Sequence, residues 1–212
     1  MRERWLKKYT KIKYLEGILR ERQLHLSSPS EWDDKNDSMV VKLYSNKFLS
    51  FDAVGTCLTG APDRFHFWHI FGEREQGVCL WFERKALVND IKGDTTLSSG
   101  EVLYRLPEDV RFLEDDQIPF AKREQYQDEC EFRVLRTKKP KHMAFDKFSF
   151  SALSLQRIYL NPWLSRSEVT RQKRKISDLL KDDLAHVKVW QNRTLRKRKW
   201  IDAVAEALEG AP

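Results

Sequence analysis

The apolar run at positions 78–82 constrains the fold of this chain more than any other segment. It reads VCLWF, so apolar side chains face both sides of an extended strand. Such a strand must be covered on both faces, which is typical of a central strand in a sheet. With 212 residues, 41% of them hydrophobic and 12% aromatic, the chain can bury a core and is not a disordered protein.

Other segments show helical or strand periodicity. Apolar residues at 12, 15, 18 and 19 predict a short helix with Thr10 as its N-cap, and residues 65–71 suit a buried helix. Further helices are predicted at 85–91, after Ser165 or Ser167, and near the C-terminus, where Trp200, Val204 and Leu208 repeat every four residues. The acidic stretch 31–38 lacks periodicity and is predicted to be a loop.

Strands are predicted at 24–26, within 48–58, and at 102–104, 129–135, 155–160 and 187–189. They outnumber the helices and come in mixed order. The predicted fold is therefore α+β, with a mixed or antiparallel sheet core and flanking helices in one domain spanning residues 1–212.

The sequence also indicates a compartment. No stretch approaches the about 20 consecutive apolar residues of a membrane span, and no apolar signal-peptide core follows the charged N-terminus. The three cysteines lie far apart without CxxC spacing, which disfavours zinc fingers and disulfide frameworks. We expect a soluble cytoplasmic protein without a membrane partner.

The net charge of +7 is concentrated near the C-terminus. Residues 171–200 hold eleven basic and three acidic side chains, a balance of +8, so the other 182 residues sum to −1. Trp190 and Trp200 interleave with these basic residues. A patch of this kind neutralises phosphates and stacks on unpaired bases, although a solvated helix face is an equal alternative. The candidate nucleic-acid-binding residues are Arg193, Arg196, Lys197, Arg198 and Lys199.

Charged residues alternate in the predicted strand 129–135. Glu129, Glu131 and Arg133 are expected on one face, opposite Cys130, Phe132 and Val134. Two carboxylates this close repel each other, which raises at least one pKa unless a cation compensates. Such a pair suits general acid–base catalysis, divalent metal binding, or stabilisation of an oxocarbenium-like ribose. The alternative is the solvated face of an edge strand.

A second candidate segment joins a hydroxyl-bearing strand to an aromatic helix. It can place Thr59 and Trp68 beside a flat ring such as nicotinamide, although aromatic residues at helical spacing more often form core. His66, His69 and Glu73 have helical spacing but lack the HExxH pattern and a fourth ligand, so no metal site is predicted.

Six segments, taken in order, resemble a bacterial domain family of unknown function, family two-nine-seven-one. They lie at 8–10, 32–34, 57–59, 68–71, 77–83 and 129–133, and the resemblance spans about residues 5 to 190, followed by the basic region 171–212. Two details depart from the family pattern. Asp33, Asp34 and Lys35 replace the usual Asn-Asp-Pro, and His69 follows Trp68 without an intervening serine.

The layout resembles, more distantly, the ADP-ribosyltransferase fold. This resemblance implies NAD as a substrate, with Glu129 and Glu131 as the catalytic pair. One carboxylate would hold a ribose hydroxyl and favour an oxocarbenium-like transition state, and the other would orient the acceptor. The NAD-binding residues that it implies are Tyr9, Thr10, Thr59, Trp68 and His69.

The resemblance thus implies an NAD-dependent ADP-ribosyltransferase-like enzyme of bacterial toxin or anti-phage defence type, with nucleic acid as an acceptor. Two other functions stay open. One is a non-enzymatic nucleic-acid-binding module that uses the C-terminal basic region. The other is a metal-dependent nuclease that uses Glu129, Glu131 and an aspartate from positions 33–37.

Overall fold

A computed structural model describes residues 3–72, 76–140, 144–193 and 198–209. It has the predicted α+β composition. The strands are β1 (Trp5–Lys11), β2 (Gln23–His25), β3 (Val54–Thr59), β4 (Gly77–Glu83), β5 (Leu97–Glu101), β6 (Leu103–Arg105), β7 (Ala121–Arg123), β8 (Glu131–Arg136), β9 (Lys147–Ser149), β10 (Leu155–Leu160) and β11 (Lys188–Gln191). The α-helices are α1 (Ile12–Glu21), α2 (Lys35–Phe48), α3 (Phe65–Ile70), α4 (Arg84–Gly93), α5 (Arg166–Leu179) and α6 (Arg198–Glu209).

One seven-stranded sheet forms the centre of the fold, in the order β11-β10-β4-β1-β3-β8-β5. Its pairs are antiparallel except β10 with β11, which are parallel. β4 lies inside the sheet between β10 and β1, so the prediction of a central strand at 78–82 is confirmed. The mixed sheet with flanking helices is confirmed as well.

The two faces of the sheet are covered differently. On one face, Val78, Leu80 and Phe82 of β4 pack in the main core together with apolar residues of α1, α4 and α5. On the other face, Cys79 packs with Tyr9 and residues of α3, while α2 covers β8. This second face carries the candidate site.

The sheet is weakly joined in its middle. β1 pairs with β3 only where Lys7 faces Thr59, whereas it pairs with β4 at seven positions. Beyond the Lys7–Thr59 pair, Nζ of Lys8 donates to Oγ1 of Thr56 at 2.7 Å and to the carbonyl of Cys57 at 3.2 Å. A lysine side chain therefore joins the strands where backbone pairing ends.

Two local predictions were wrong. The stretch 31–38 is not a loop throughout, because α2 begins at Lys35 and Asp34 caps it by accepting from the Asn36 N–H at 2.9 Å. Thr10 lies inside β1, and Lys11 precedes α1 without a side-chain cap. By contrast, Ser165 caps α5 as predicted, accepting from the Glu168 N–H.

The predicted terminal helix is present as α6. All twelve of its residues are exposed, Trp200 among them. None of the helices that the structure describes is long and apolar enough to cross a membrane. The division into a core at 5–190 and a basic region at 171–212 stays a prediction.

Candidate active site

The alternating charges of β8 are buried, not solvated. β8 pairs with β3 on one side and β5 on the other, so it is not an edge strand. Glu131 is 5% exposed and Arg133 is fully buried, with Nε of Arg133 donating to Oε1 of Glu131 at 2.8 Å. A charge buried in this way requires a partner, and the strand supplies one two residues away on the same face.

Glu129 reaches the same place by a different route. The prediction that it shares the strand face was wrong, because it ends a 3₁₀ helix (Glu124–Glu129) and Cys130 follows in the left-handed conformation with φ 43°. Cys130 is exposed and does not lie on the apolar face. Lys122 nevertheless joins the two carboxylates, since its Nζ lies 2.5 Å from Oε2 of Glu129 and 3.0 Å from Oε2 of Glu131.

A third carboxylate completes the cluster. Oδ2 of Asp37, on α2, lies 2.8 Å from Nη2 of Arg133 and 3.4 Å from Nζ of Lys122. Three carboxylates and two cations give a formal charge of −1. We call these residues the charge network: Asp37, Lys122, Glu129, Glu131 and Arg133.

The carboxylates of the charge network differ in proton affinity. Burial tends to raise the pKa of Glu131, but Arg133 and Lys122 outweigh it and lower the pKa to about 2. Burial raises the pKa of Glu129, which Lys122 offsets only in part. Burial likewise raises the pKa of Asp37 against the opposing effect of Arg133. Glu131 is thus a fixed anion, and Glu129 is the better suited of the pair to exchange a proton.

Neighbouring groups hold this geometry. The Tyr104 hydroxyl accepts from the backbone N–H of Glu131 at 2.8 Å. Oγ1 of Thr59 donates to the carbonyl of Glu129 at 2.5 Å and accepts from the Ala61 N–H at 2.9 Å. Because Thr59 on β3 is also paired with Glu131 on β8, this predicted residue lies beside both glutamates.

Tyr9 and Trp68 form a second cluster around Asp63. Oδ1 of Asp63 accepts from the Tyr9 hydroxyl at 2.8 Å and from Nε1 of Trp68 at 3.0 Å, and Asn192 donates to Oδ2 at 2.6 Å. Trp68 is 1% exposed, with Tyr9 at right angles to it at 5.2 Å. The ring of Trp68 is therefore covered, and in this structure it has no free face for a ligand.

The remaining predicted residues lie near this second cluster. The His69 ring centre is 4.5 Å from that of Phe65 and 5.0 Å from that of Trp163. Thr10 follows Tyr9 on β1 and points to the opposite face of the sheet. Glu73 lies outside the described residues, and within the described ranges no cluster of side chains fits a metal ion. The roles predicted for Tyr9, Thr10, Thr59 and His69 stay predictions.

Comparisons with known proteins give a weak likeness only. No protein-family model and no curated protein matches the sequence, so the resemblance to family two-nine-seven-one stays a prediction. Solved structures of DarT from Thermus sp. 2.9 are similar to the chain. The complexes with carba-NAD+ and with NAD+ each have a TM-score of 0.44 and 13% identity, and cover 91% of this chain and 97% of theirs. The complex with ADP-ribosylated ssDNA has a TM-score of 0.43 and 14% identity, and covers 90% of this chain and 94% of its own. Likeness at this level assigns no activity to this chain.

The basic C-terminal residues are only partly described. Arg193 and Lys199 are exposed, and the Arg198 side chain, 92% exposed, lies 3.7 Å from Asp202. Arg196 and Lys197 lie outside the described residues. Binding of nucleic acid by this region stays a prediction.

Sequence reasoning missed two members of the charge network. Lys122 lies on β7, a strand of three residues with no periodicity to mark it. Asp37 belongs to the acidic stretch 31–38, which is predicted to be a loop, whereas it is 6% exposed on α2. Neither residue carries a local sequence signal of burial, because their partners lie in other segments.

Proposed function

We propose that the protein is an NAD-dependent ADP-ribosyltransferase-like enzyme that modifies nucleic acid, working in the cytoplasm as a bacterial toxin or in anti-phage defence. The observation that carries this proposal is Glu131, a buried carboxylate that two cations keep ionised, placed beside Glu129 and Thr59. A fixed anion in a site of net negative charge favours a reaction that passes through a cationic ribose.

In the proposed reaction, the bond between the nicotinamide nitrogen and C1 of the ribose breaks, and nicotinamide leaves with the electron pair. The carboxylate of Glu131 stabilises the positive charge that develops on the ribose. A unit charge about 4 Å away contributes about 4 kcal/mol at an effective dielectric constant of about 20. A nucleophilic atom of the acceptor then bonds to C1, and its proton passes to Glu129, whose raised pKa suits a general base.

The predicted NAD-binding residues take different parts in this proposal. Thr59 is the one beside the two glutamates, and Tyr9 and His69 are proposed to contact the dinucleotide, whereas the Thr10 side chain points to the opposite face of the sheet and is assigned no contact. Trp68 is proposed to act indirectly, because its covered ring and Tyr9 both donate to Asp63 and so fix the position of the tyrosine.

Incubation with NAD labelled on its adenylate half, together with single-stranded oligonucleotides, tests the proposal. We expect labelled oligonucleotide and an equal amount of released nicotinamide. Glu129→Gln is expected to slow transfer by about 100-fold, the lower end of the range for loss of a general base. Glu124→Gln, an exposed residue of the same 3₁₀ helix, is the matched control and should keep full activity. The absence of nicotinamide release, of label transfer and of NAD binding would refute the proposal.

The same reactions separate the two alternatives. A binding module retains the oligonucleotide without consuming NAD, and Glu131→Gln leaves its affinity unchanged. A metal-dependent nuclease cleaves the oligonucleotide with magnesium and stops with a chelator. The structure disfavours the nuclease, because Nζ of Lys122 lies within 3.4 Å of all three carboxylates and occupies the place between them.

A further inference from the structure

Four aromatic side chains line the sheet face that also carries Glu131. They come from four neighbouring strands, β1, β4, β10 and β11, and form what we call the aromatic platform: Trp5, Trp81, Tyr159 and Trp190. Ring centres are 6.0 Å apart for Trp5 and Trp81, 5.0 Å for Trp81 and Tyr159, and 5.6 Å for Tyr159 and Trp190. Three strand spacings of about 4.8 Å give the platform a width of about 14 Å.

The platform is partly open to solvent. Trp190 is 39% exposed, and the other three rings are half-buried. The helices of the main core cover the opposite face of these strands, and on this face Trp81 and Tyr159 pack against the cluster that Tyr9 and Cys79 form with α3. One exposed ring beside three half-buried ones makes a contiguous, partly exposed aromatic surface, and a surface of this kind indicates a binding site.

Cations are placed over the same rings. The guanidinium of Arg157 lies 4.5 Å from the Trp5 ring centre and 5.6 Å from those of Trp81 and Trp190. The guanidinium of Arg4 also lies 4.7 Å from the Trp5 ring centre. Lys188 on β11 is paired with Arg157 on β10 and is exposed. The surface therefore combines aromatic faces with positive charge.

We propose that the aromatic platform binds single-stranded nucleic acid. Unpaired bases stack on Trp190 and its neighbours, and backbone phosphates meet Arg157, Arg4 and Lys188. Each base offers a flat ring face and each linkage a negative charge, which is the combination that the platform complements. A duplex hides those base faces and fits less well.

The location of the platform suits a nucleic acid that serves as the acceptor of the proposed reaction. Paired residues on adjacent strands share a face, and the pairs Trp81–Lys7, Lys7–Thr59 and Thr59–Glu131 connect the platform to the charge network. β4 and β8 are three strand spacings apart, about 14 Å. This step rests on the proposed function, because it gives the acceptor a place, whereas binding itself can be measured without NAD.

Fluorescence anisotropy with a labelled oligothymidylate of about 12 nucleotides, within the usual site sizes for single strands, tests the proposal. We expect Trp190→Ala to weaken binding about tenfold, the size of losing one stacked base, and Trp190→Phe to retain most of the affinity. Arg157→Ala is expected to weaken binding and reduce its salt dependence. The matched controls are Phe112→Ala and Arg111→Ala, which remove an exposed aromatic–arginine pair elsewhere, with 4.7 Å between guanidinium and ring.

The same anisotropy measurement is repeated with the matching oligoribonucleotide and with a duplex of the same length. Tighter binding of either single strand than of the duplex supports the proposal. The difference in affinity between the two single strands tells which sugar the surface prefers. Unchanged affinity in both Trp190→Ala and Arg157→Ala, or preference for the duplex, would overturn it. Nicotinamide release in the absence of oligonucleotide should not change in Trp190→Ala. Absence of nicotinamide release by the unaltered protein together with intact oligonucleotide binding would refute the transferase alone, so the two proposals fail separately.

Discussion

Replacing Lys122 by methionine is expected to destabilise the protein in a manner that depends on pH. The ammonium group lies 2.5 Å from Glu129, 3.0 Å from Glu131 and 3.4 Å from Asp37. Its loss changes the formal charge of the network from −1 to −2 and leaves one guanidinium for three carboxylates. Breaking a buried ion pair by removing one partner costs about 3–5 kcal/mol, so we expect that loss in the free energy of unfolding at pH 8.

The loss in unfolding free energy that Lys122→Met causes should be smaller in acid. Without the ammonium group, the pKa values of Glu129 and Asp37, which burial already raises in the folded state, rise further above their values in the unfolded chain, about 4.3 for glutamate. Between those two values the folded state holds more protons, so stability increases as the pH falls. The gain is about 1.4 kcal/mol per pH unit for each extra proton held.

Urea unfolding followed by tryptophan fluorescence at pH 8 and pH 5 measures both effects. Lys47→Met is the control, because Lys47 lies 3.9 Å from Asp115 with both side chains about two-thirds exposed, 68% and 66%. Exposed pairs of this kind contribute about 0–1 kcal/mol. A deficit at pH 8 no larger than that of the control, or an equal deficit at both pH values, would refute the buried charge network.

Three further predictions concern the same region. Gly55→Ala should cost about 1–3 kcal/mol in unfolding free energy, because the added Cβ would lie 2.5 Å from Cδ2 of Leu135, and a larger side chain there is expected to cost more. Tyr104→Phe should cost about 1–3 kcal/mol by leaving the Glu131 N–H without its acceptor, and faster amide exchange at that position would report the loss. Glu131, whose pKa lies at about 2 against an ordinary 4.5, contributes stability above pH 4.5 that is lost as the pH falls toward 2. That loss is about 3 kcal/mol. It is measured as the pH dependence of the difference in unfolding free energy between the protein and Glu131→Gln, because Glu129 and Asp37, whose pKa values are raised, change the total in the opposite sense, and a difference that does not vary over this window would contradict it.

Sequence pattern predicts the elements whose buried positions are apolar. The run at 78–82 predicts β4, and the spacing of Leu15 and Leu19 predicts α1, because both bury apolar side chains with the period of their element. α2 escapes prediction for the opposite reason. Its buried positions are Asp37, Val41 and Ser45, spaced four apart, but only one of them is apolar.

The site was predictable only where its members are close in sequence. Glu129 and Glu131 stand out as a pair, and alternation places Glu131 with Arg133. Their burial was not predictable, since it depends on Asp37, 96 residues away from Arg133, and on Lys122 from a separate short strand. The left-handed turn at Cys130 also has no sequence signal, because this conformation favours glycine or asparagine.

The shared lysine has a consequence for how this protein can change over generations. Loss of Lys122 or of Arg133 leaves three carboxylates with a single cation, at a cost of about 3–5 kcal/mol. That is a large part of the about 5–15 kcal/mol that holds a typical protein folded. Single changes are therefore expected to be purged unless a second, compensating change accompanies them. Although its residues are spread between positions 37 and 133, the charge network is expected to be inherited or replaced as one unit.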